Sequence, residues 1–333
     1  MIYTLKGKNS SYQIIIEKGS INKIPLFIKE NQKVMIVTDD GVPSLYIDQI
    51  LKLIKAEVFI FNQGEASKSL ATYTKLIERL SKLNFSRDDV LIALGGGVVG
   101  DLTLFSGSTY KRGIKVIMVP TTTLAMCDSS VGGKSALNSN SFKNIIGSFY
   151  DPYVVIVDVD VLKTLDKKHF YNGLFEALKM GMIANEELFN YFYLNTYEEN
   201  IERVISLSIF HKKKIVELDY LEKDIRKALN FGHTIGHALE SYYKFNLLHG
   251  EAIAYGMMLS LKDKEIKDKL QVALSNLELK PIKLPKFNEL KGFISNDKKV
   301  ESDLINFVSV NKIGSYTINK ISINELKEII EVD

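Results

Sequence analysis

Between residues 12 and 158 short β-branched runs alternate with stretches of helical periodicity, and no other feature constrains the fold of this chain more. The spacing predicts strands at 12–17, 34–38, 58–61, 90–94, 115–119 and 154–158, with a helix over 67–83 among the connections. Runs such as VLIAL are apolar on both faces, as strands of a parallel sheet covered on both sides must be. After Asp160 the β runs nearly vanish. Amphipathic segments follow at 168–184, 186–193, 201–218, 224–243 and 250–269, and 280–286, with two prolines, reads as a loop. The pattern therefore predicts an α/β N-terminal domain, Rossmann-like with a largely parallel sheet (1–160), followed by an all-α C-terminal domain (161–333). A length of 333 residues accords with two domains.

Charge and cysteine content narrow the function classes. The 43 basic side chains against 40 acidic ones give a net charge of +3, too balanced for a nucleic-acid-binding surface. Cys127 is the only cysteine, so no intrachain disulfide can form. The start lacks a charged segment followed by an apolar run, and no segment is long and apolar enough to span a membrane. The expectation is a cytoplasmic protein acting on a small molecule, with no nucleic-acid or membrane partner.

Two loops follow predicted strand ends. The first, GGGVVGD (95–101), satisfies G-x-G-x-x-G between a strand and a helix, where glycines let a pyrophosphate approach backbone N–H groups. It does not lie in the first strand-turn-helix unit, the usual place of the dinucleotide fingerprint. On its own it is as readily a packing turn. The second loop, VPTTTLAMCDSSVGGKSALN, concentrates Thr121, Thr122, Asp128, Ser129, Ser130 and Lys134 after another strand. Ends of parallel strands share a face, and ligands bind there.

The second half carries NFGHTIGHALE (230–240) and then HGEA from His249, which places three of five histidines within seventeen residues. On one helix at ~100° per residue, Glu222, Arg226, Asn230, His233, His237 and Glu240 fall within an arc roughly 80° wide. A buried network fixing helix packing would account for one histidine; three favour a metal. Zinc in a catalytic site takes His and carboxylate ligands, and periodicity nominates Glu176, Glu222, Glu240 or Glu251 without choosing. Gly232 and Gly236 cost helix stability, which close backbone approach would offset.

With these residues in view the chain resembles the 3-dehydroquinate synthase family. The resemblance rests on GEASKSL, LGGGVVGDL, YKRG, VPTTTLAMCDSSVGGKSALN, KNIIGSFYDP, GLFEALKMG, RKALNFGHTIGHALE, LHGEAIAYGM and NDKKV, in order over most of the chain. It implies a homodimer with bound NAD and one divalent metal, Zn2+ or Co2+, in each subunit. It also implies a phosphorylated seven-carbon keto-acid substrate, cyclised by transient oxidation, phosphate elimination, re-reduction and aldol closure.

Residue by residue, the resemblance places the metal ligands at Glu176, His233 and His249, with His237 facing substrate. It places NAD at Glu65, Lys68, Gly96, Gly97, Val98, Val99, Gly100, Asp101, Thr121, Thr122, Lys134, Lys143, Val161, Leu162, Lys163 and Thr164. Substrate residues are implied at Asp128, Lys134, Asn144, Lys179, Lys212, Glu222, Arg226, Asn230, His237 and Lys298, and at Arg112 from across a dimer interface. Glu251 is then a supporting residue. Two departures stand out: Lys223 and Asp224 follow Glu222 where the family commonly has glycine, and Tyr220 replaces the second acid of its DExE pattern. A polyol dehydrogenase related to glycerol dehydrogenase is the main rival, but has no use for a set of anion-binding residues.

Overall fold

The alternation of the first half resolves into a seven-stranded sheet whose central strands are apolar on both faces. In the computed structural model, which describes all residues except 9, 140–141, 245, 296–299, 302–303 and 332–333, the chain divides into two units, Met1–Asp166 and Lys167–Asp333. The first contains β1 (Ile2–Lys6), β2 (Ser11–Ile16), β3 (Val34–Asp39), α1 (Ser44–Leu53), β4 (Glu57–Phe61), α2 (Leu70–Lys82), β5 (Val90–Gly95) and α3 (Gly97–Thr109). After these come β6 (Lys115–Pro120), β7 (Lys134–Ser139), β8 (Phe142–Phe149) and β9 (Val154–Val157). The sheet order is β1-β2-β9-β6-β5-β3-β4, with β1 antiparallel to β2 and every other neighbour parallel.

All six strands expected from the sequence are present. The sequence reading missed β1 and the antiparallel pair β7–β8, which forms its own two-stranded sheet. β8 is largely exposed, so its side chains carry little of the in-out alternation that marks a half-buried strand. Helix α3 is covered, with Val99, Leu102, Leu104 and Phe105 buried. It lies close to β6: a Cβ on Gly107 would sit 2.3 Å from a methyl of Val116.

The second unit contains α4 (Lys167–Ala184), α5 (Glu186–Tyr193), α6 (Ile201–Leu218), α7 (His233–Tyr242), α8 (His249–Ser260), α9 (Lys264–Asn276), α10 (Phe287–Ser295), β10 (Val300–Glu301), β11 (Leu304–Lys312), β12 (Ser315–Ser322) and α11 (Ile323–Ile330). It is largely helical rather than wholly so, because β10, β11 and β12 form a small antiparallel sheet. Ile305 and Phe307 of β11 join Ile235, Leu239, Phe287, Leu290 and Leu326 in one apolar core.

Two expected helices prove to be broken. The segment 250–269 divides because Asp263 accepts a hydrogen bond from the N–H of Ile266 at 3.0 Å and caps a new helix. The segment 224–243 divides at Gly232. Residues Ile225–Asn230 form a 3-10 turn, Gly232 takes φ +76°, and α7 starts at His233. A side chain at Gly232 would be strained, and its Cβ would lie 2.8 Å from the backbone nitrogen of Met257. The expected close approach is thus real: α7 and α8 meet backbone to backbone. Among the described residues no helix is long and apolar enough to cross a membrane.

Candidate active site

Three helices of the second unit bring three ligand atoms together. Glu176 comes from the middle of α4, and His233 and His249 begin α7 and α8. Glu176 Oε1 lies 3.7 Å from Nε2 of His233 and 3.5 Å from Nε2 of His249. Donors at 2.0–2.1 Å from a tetrahedral cation are about 3.3 Å apart, so these separations suit ligands better than hydrogen-bonded partners. The outer nitrogens reinforce that reading. His233 Nδ1 lies 3.1 Å from the carbonyl of Phe231 and His249 Nδ1 lies 3.4 Å from Glu240 Oε2. Protons held on Nδ1 leave the Nε2 lone pairs facing Glu176. The residues therefore fit a divalent cation.

Lys179 Nζ donates to the other oxygen of Glu176, and both side chains are only 2% exposed. The two sit three residues apart on α4, so one helical turn supplies a carboxylate and its counter-charge. Burial disfavours a charged His249, but the carboxylates of Glu176 and Glu240 outweigh it and push its pKa up to about 9, so a cation taking Nε2 would displace a proton there. His237 completes a triangle of rings, with centroids 5.3 Å from His233 and 5.8 Å from His249. It is the most open of the three at 40% side-chain exposure, and its Nε2 is 3.9 Å from Glu240 Oε2. A second triad, His237, Glu240 and His249, could also gather around an ion; it shares His249 with the first.

The break at Gly232 rearranges the polar stripe expected for a single helix. Asn230 still meets Glu222, donating to Oε1 at 2.9 Å, and Glu222 holds a positive φ of 58°. Arg226 is buried, and its Nη1 donates to the carbonyl of Tyr220 at 2.6 Å. Tyr220, a departure from the family pattern, thus serves Arg226 through its backbone. Asp219 anchors the turn by accepting from the N–H groups of Lys223, Asp224 and Arg226. Desolvation works against its charge, yet those bonds and the Arg226 guanidinium hold its carboxyl below the usual range.

In the first unit the glycine loop joins a buried strand to a helix start, though not in the first strand-turn-helix unit. β5 ends at Gly95 and α3 begins at Gly97, with Gly96 between them. A Cβ on Gly96 would come within 3.2 Å of the methyl of Thr122, so the two loops are packed together. Lys68, on the plain reading a solvated lysine, is 5% exposed and ion-paired to Asp101, and it also donates to Asn144 Oδ1. Thr121 is buried; Glu65, Lys134, Lys143, Lys163, Thr164 and Arg112 are exposed. Tyr46 OH lies 3.2 Å from the carbonyl of Val161 and 2.8 Å from Thr164 Oγ1, which fixes the turn after β9. Lys298 lies outside the described residues. Among the described residues the only buried Lys or Arg side chains are Lys68, Lys179, Lys212 and Arg226, and all four belong to the set expected from the sequence.

Comparison with known proteins decides the family. The 3-dehydroquinate synthase N-terminal model matches residues 58–172 and the C-terminal model matches 173–300. The chain belongs to the 3-dehydroquinate synthase family. It is 40% identical over 348 residues to 3-dehydroquinate synthase of Streptococcus mutans, covering 96% of this chain and 97% of that one. The enzyme of Picrophilus torridus is 43% identical over 300 residues, covering 86% and 87%. Among solved structures, a 2-deoxy-scyllo-inosose synthase complexed with carbaglucose-6-phosphate, NAD+ and Co2+ superposes with a TM-score of 0.89 at 25% identity, covering 99% of each chain. The activity of this chain is that of a 3-dehydroquinate synthase, a phosphate-eliminating carbon–oxygen lyase.

Two contributors to this 3-dehydroquinate synthase site escaped the sequence reading. Glu240 appears there on the polar stripe and as one of four possible ligands, without the role the structure shows: it backs His249 and approaches His237. Its signal was its place on the polar stripe, three residues from His237. Asp219, outside the expected helix, stood in the sequence as the first acid of the DExE pattern, but nothing there showed that it anchors the turn before Arg226.

Proposed function

We propose that this chain converts 3-deoxy-D-arabino-heptulosonate 7-phosphate to 3-dehydroquinate and phosphate with the help of NAD and one divalent metal ion, Zn2+ or Co2+, held by Glu176, His233 and His249. When bound, these two supply polarisation of a substrate hydroxyl and the reversible uptake of one hydride, so that oxidation and re-reduction cancel. The protein's own residues hold one substrate conformer and stabilise charge as phosphate leaves and the ring closes.

The buried cations support this reading most strongly. Lys179, Lys212 and Arg226 concentrate fixed positive charge within the second unit, which matches a substrate that carries both a carboxylate and a phosphate. Arg226 offers a planar fork whose geometry suits the carboxylate. An ammonium carries three donors, so Lys179 can hold Glu176 and a substrate oxygen together. His237, open beside the ligands, takes and returns a proton, and Glu222 orients Asn230 toward a hydroxyl. Lys212, Lys134, Asp128, Asn144 and Lys298 bind the remaining oxygens, with Arg112 of a second subunit in a homodimer.

NAD is held by the first unit. The N–H groups of Gly96 to Val99, open at the start of α3, take the pyrophosphate, with Gly100 and Asp101 in the turn behind them, and Glu65 takes ribose hydroxyls. Lys68, Lys134 and Lys143, the hydroxyls of Thr121 and Thr122, and Val161 to Thr164 complete that site. A cytoplasmic location accords with a metabolic enzyme of this kind. During steady turnover with limiting NAD+, phosphate accumulates far beyond the NAD+ supplied while NADH stays below the enzyme concentration. NADH rising mole for mole with substrate consumed would establish a dehydrogenase instead.

A further inference from the structure

Asn138, on β7, belongs to none of the site residues assigned above, yet three hydrogen bonds and a strand bridge meet around it. Its Nδ2 donates to Glu65 Oε1 at 2.7 Å, and its Oδ1 accepts from the N–H of Asn144 at 2.9 Å. Its own N–H donates to the carbonyl of Lys68 at 2.8 Å, and residue 69 forms an isolated parallel bridge with it. Lys68 closes the circuit by donating from Nζ to Asn144 Oδ1 and Asp101 Oδ2. The β7–β8 hairpin is thereby fastened to the segment that precedes α2.

The chemistry demands an amide of this length. Glu65 Oε1 can only accept and the backbone N–H of Asn144 can only donate, so the group between them must do both from one short planar end. Asp lacks the donor and Leu lacks both. Turning the amide over would set oxygen against carboxylate and NH2 against N–H, so the neighbours fix its orientation. Asn144 holds φ +55°, a conformation that asparagine tolerates but that still needs support, and the bonds from its N–H and to its Oδ1 supply it.

We infer that Asn138 is a positioning residue that couples the cofactor side of the site, through Glu65, to the substrate side, through Asn144. This rests on the reading of Glu65 as a cofactor contact and Asn144 as a substrate contact. Removing the side chain frees both arms, whereas Asn138→Asp keeps the acceptor for Asn144 and sets a second carboxylate against Glu65. The arms are therefore separable by experiment.

Three variants test this in the metal-loaded enzyme: NAD+ Kd is measured by calorimetry without substrate, and substrate KM at saturating NAD+. Asn138→Ala raises both constants about tenfold, the scale of one lost hydrogen bond to a charged or buried group. Asn138→Asp raises the NAD+ Kd to a similar degree and leaves KM within about twofold. If either variant lowers Tm while both constants stay at wild-type values, the role is merely structural and the inference falls. Glu65→Ala separates the possible failures. If it leaves NAD+ affinity unchanged, the cofactor reading of Glu65 is wrong and the inference falls with it; if it weakens NAD+ while Asn138→Ala does not, the inference alone falls.

Discussion

The two units deploy charge in opposite ways. In the first, Glu65, Lys134, Lys143 and Lys163 are exposed around strand ends and helix starts, where α3 also begins with open backbone N–H groups. In the second, Glu176, Lys179, Lys212 and Arg226 are buried within helices and their connecting turns. An exposed charge costs little to place and contributes little; a buried one must be compensated, and removing its partner is severe. On the proposed function, this difference would have the first unit grip its ligand by shape and backbone geometry, and the second by a few fixed charges. Lys68 is the exception in the first unit, and it is the one held by Asp101.

The strongest way to break this contrast is to delete a ligand atom in the second unit. His233→Ala removes a donor next to Glu176 and is expected to abolish both metal retention and turnover. His237→Ala is expected to keep close to one metal per chain and lose turnover, because its Nε2 approaches Glu240 rather than Glu176. Elemental analysis of the two proteins decides between them. A metal-free His237→Ala protein would move the ion to the His237, Glu240 and His249 triad.

The same contrast explains what could be read from sequence. Helices α5 and α6 are present as spaced, because their apolar periodicity runs unbroken to both ends. The strands of the parallel sheet were legible because burial on both faces leaves uninterrupted apolar runs. The 224–243 segment was not, since periodicity is blind to a single φ, and Gly232 turns the chain before α7. Strands β11 and β12 do alternate, but they were passed over in a region dominated by helical patterns. Which carboxylate faces the histidines is set by where α4 packs, and no local pattern contains that. Only the resemblance chose Glu176.

A smaller effect sharpens the contrast. Arg226→Lys preserves charge at a buried position and removes the planar fork, which costs roughly 1.5–3 kcal/mol in kcat/KM. Because Arg226 is buried, the deficit persists when salt is raised to about 0.5 M, where surface charges are screened within a few ångströms. Unchanged kcat/KM in this variant would remove Arg226 from anion recognition.

The smallest expected effect belongs to Lys143, exposed on β8 of the first unit. If it contributes to NAD binding by charge alone, Lys143→Ala raises the NAD+ Kd by only about two- to fivefold at low salt, the range of an exposed ion pair. At about 0.5 M salt the wild type and variant converge, since the Debye length is then shorter than the reach of a lysine. Lys68→Ala is the comparison within the same unit. Its ammonium is buried between Asp101 and Asn144, so its loss removes a buried ion pair and one tie to the hairpin regardless of ionic strength. NAD+ titrations of both variants at two salt concentrations separate these behaviours. If Lys143→Ala shows a deficit as large and as salt-independent as Lys68→Ala, exposure does not decide how charge acts here, and the division of labour between the two units fails.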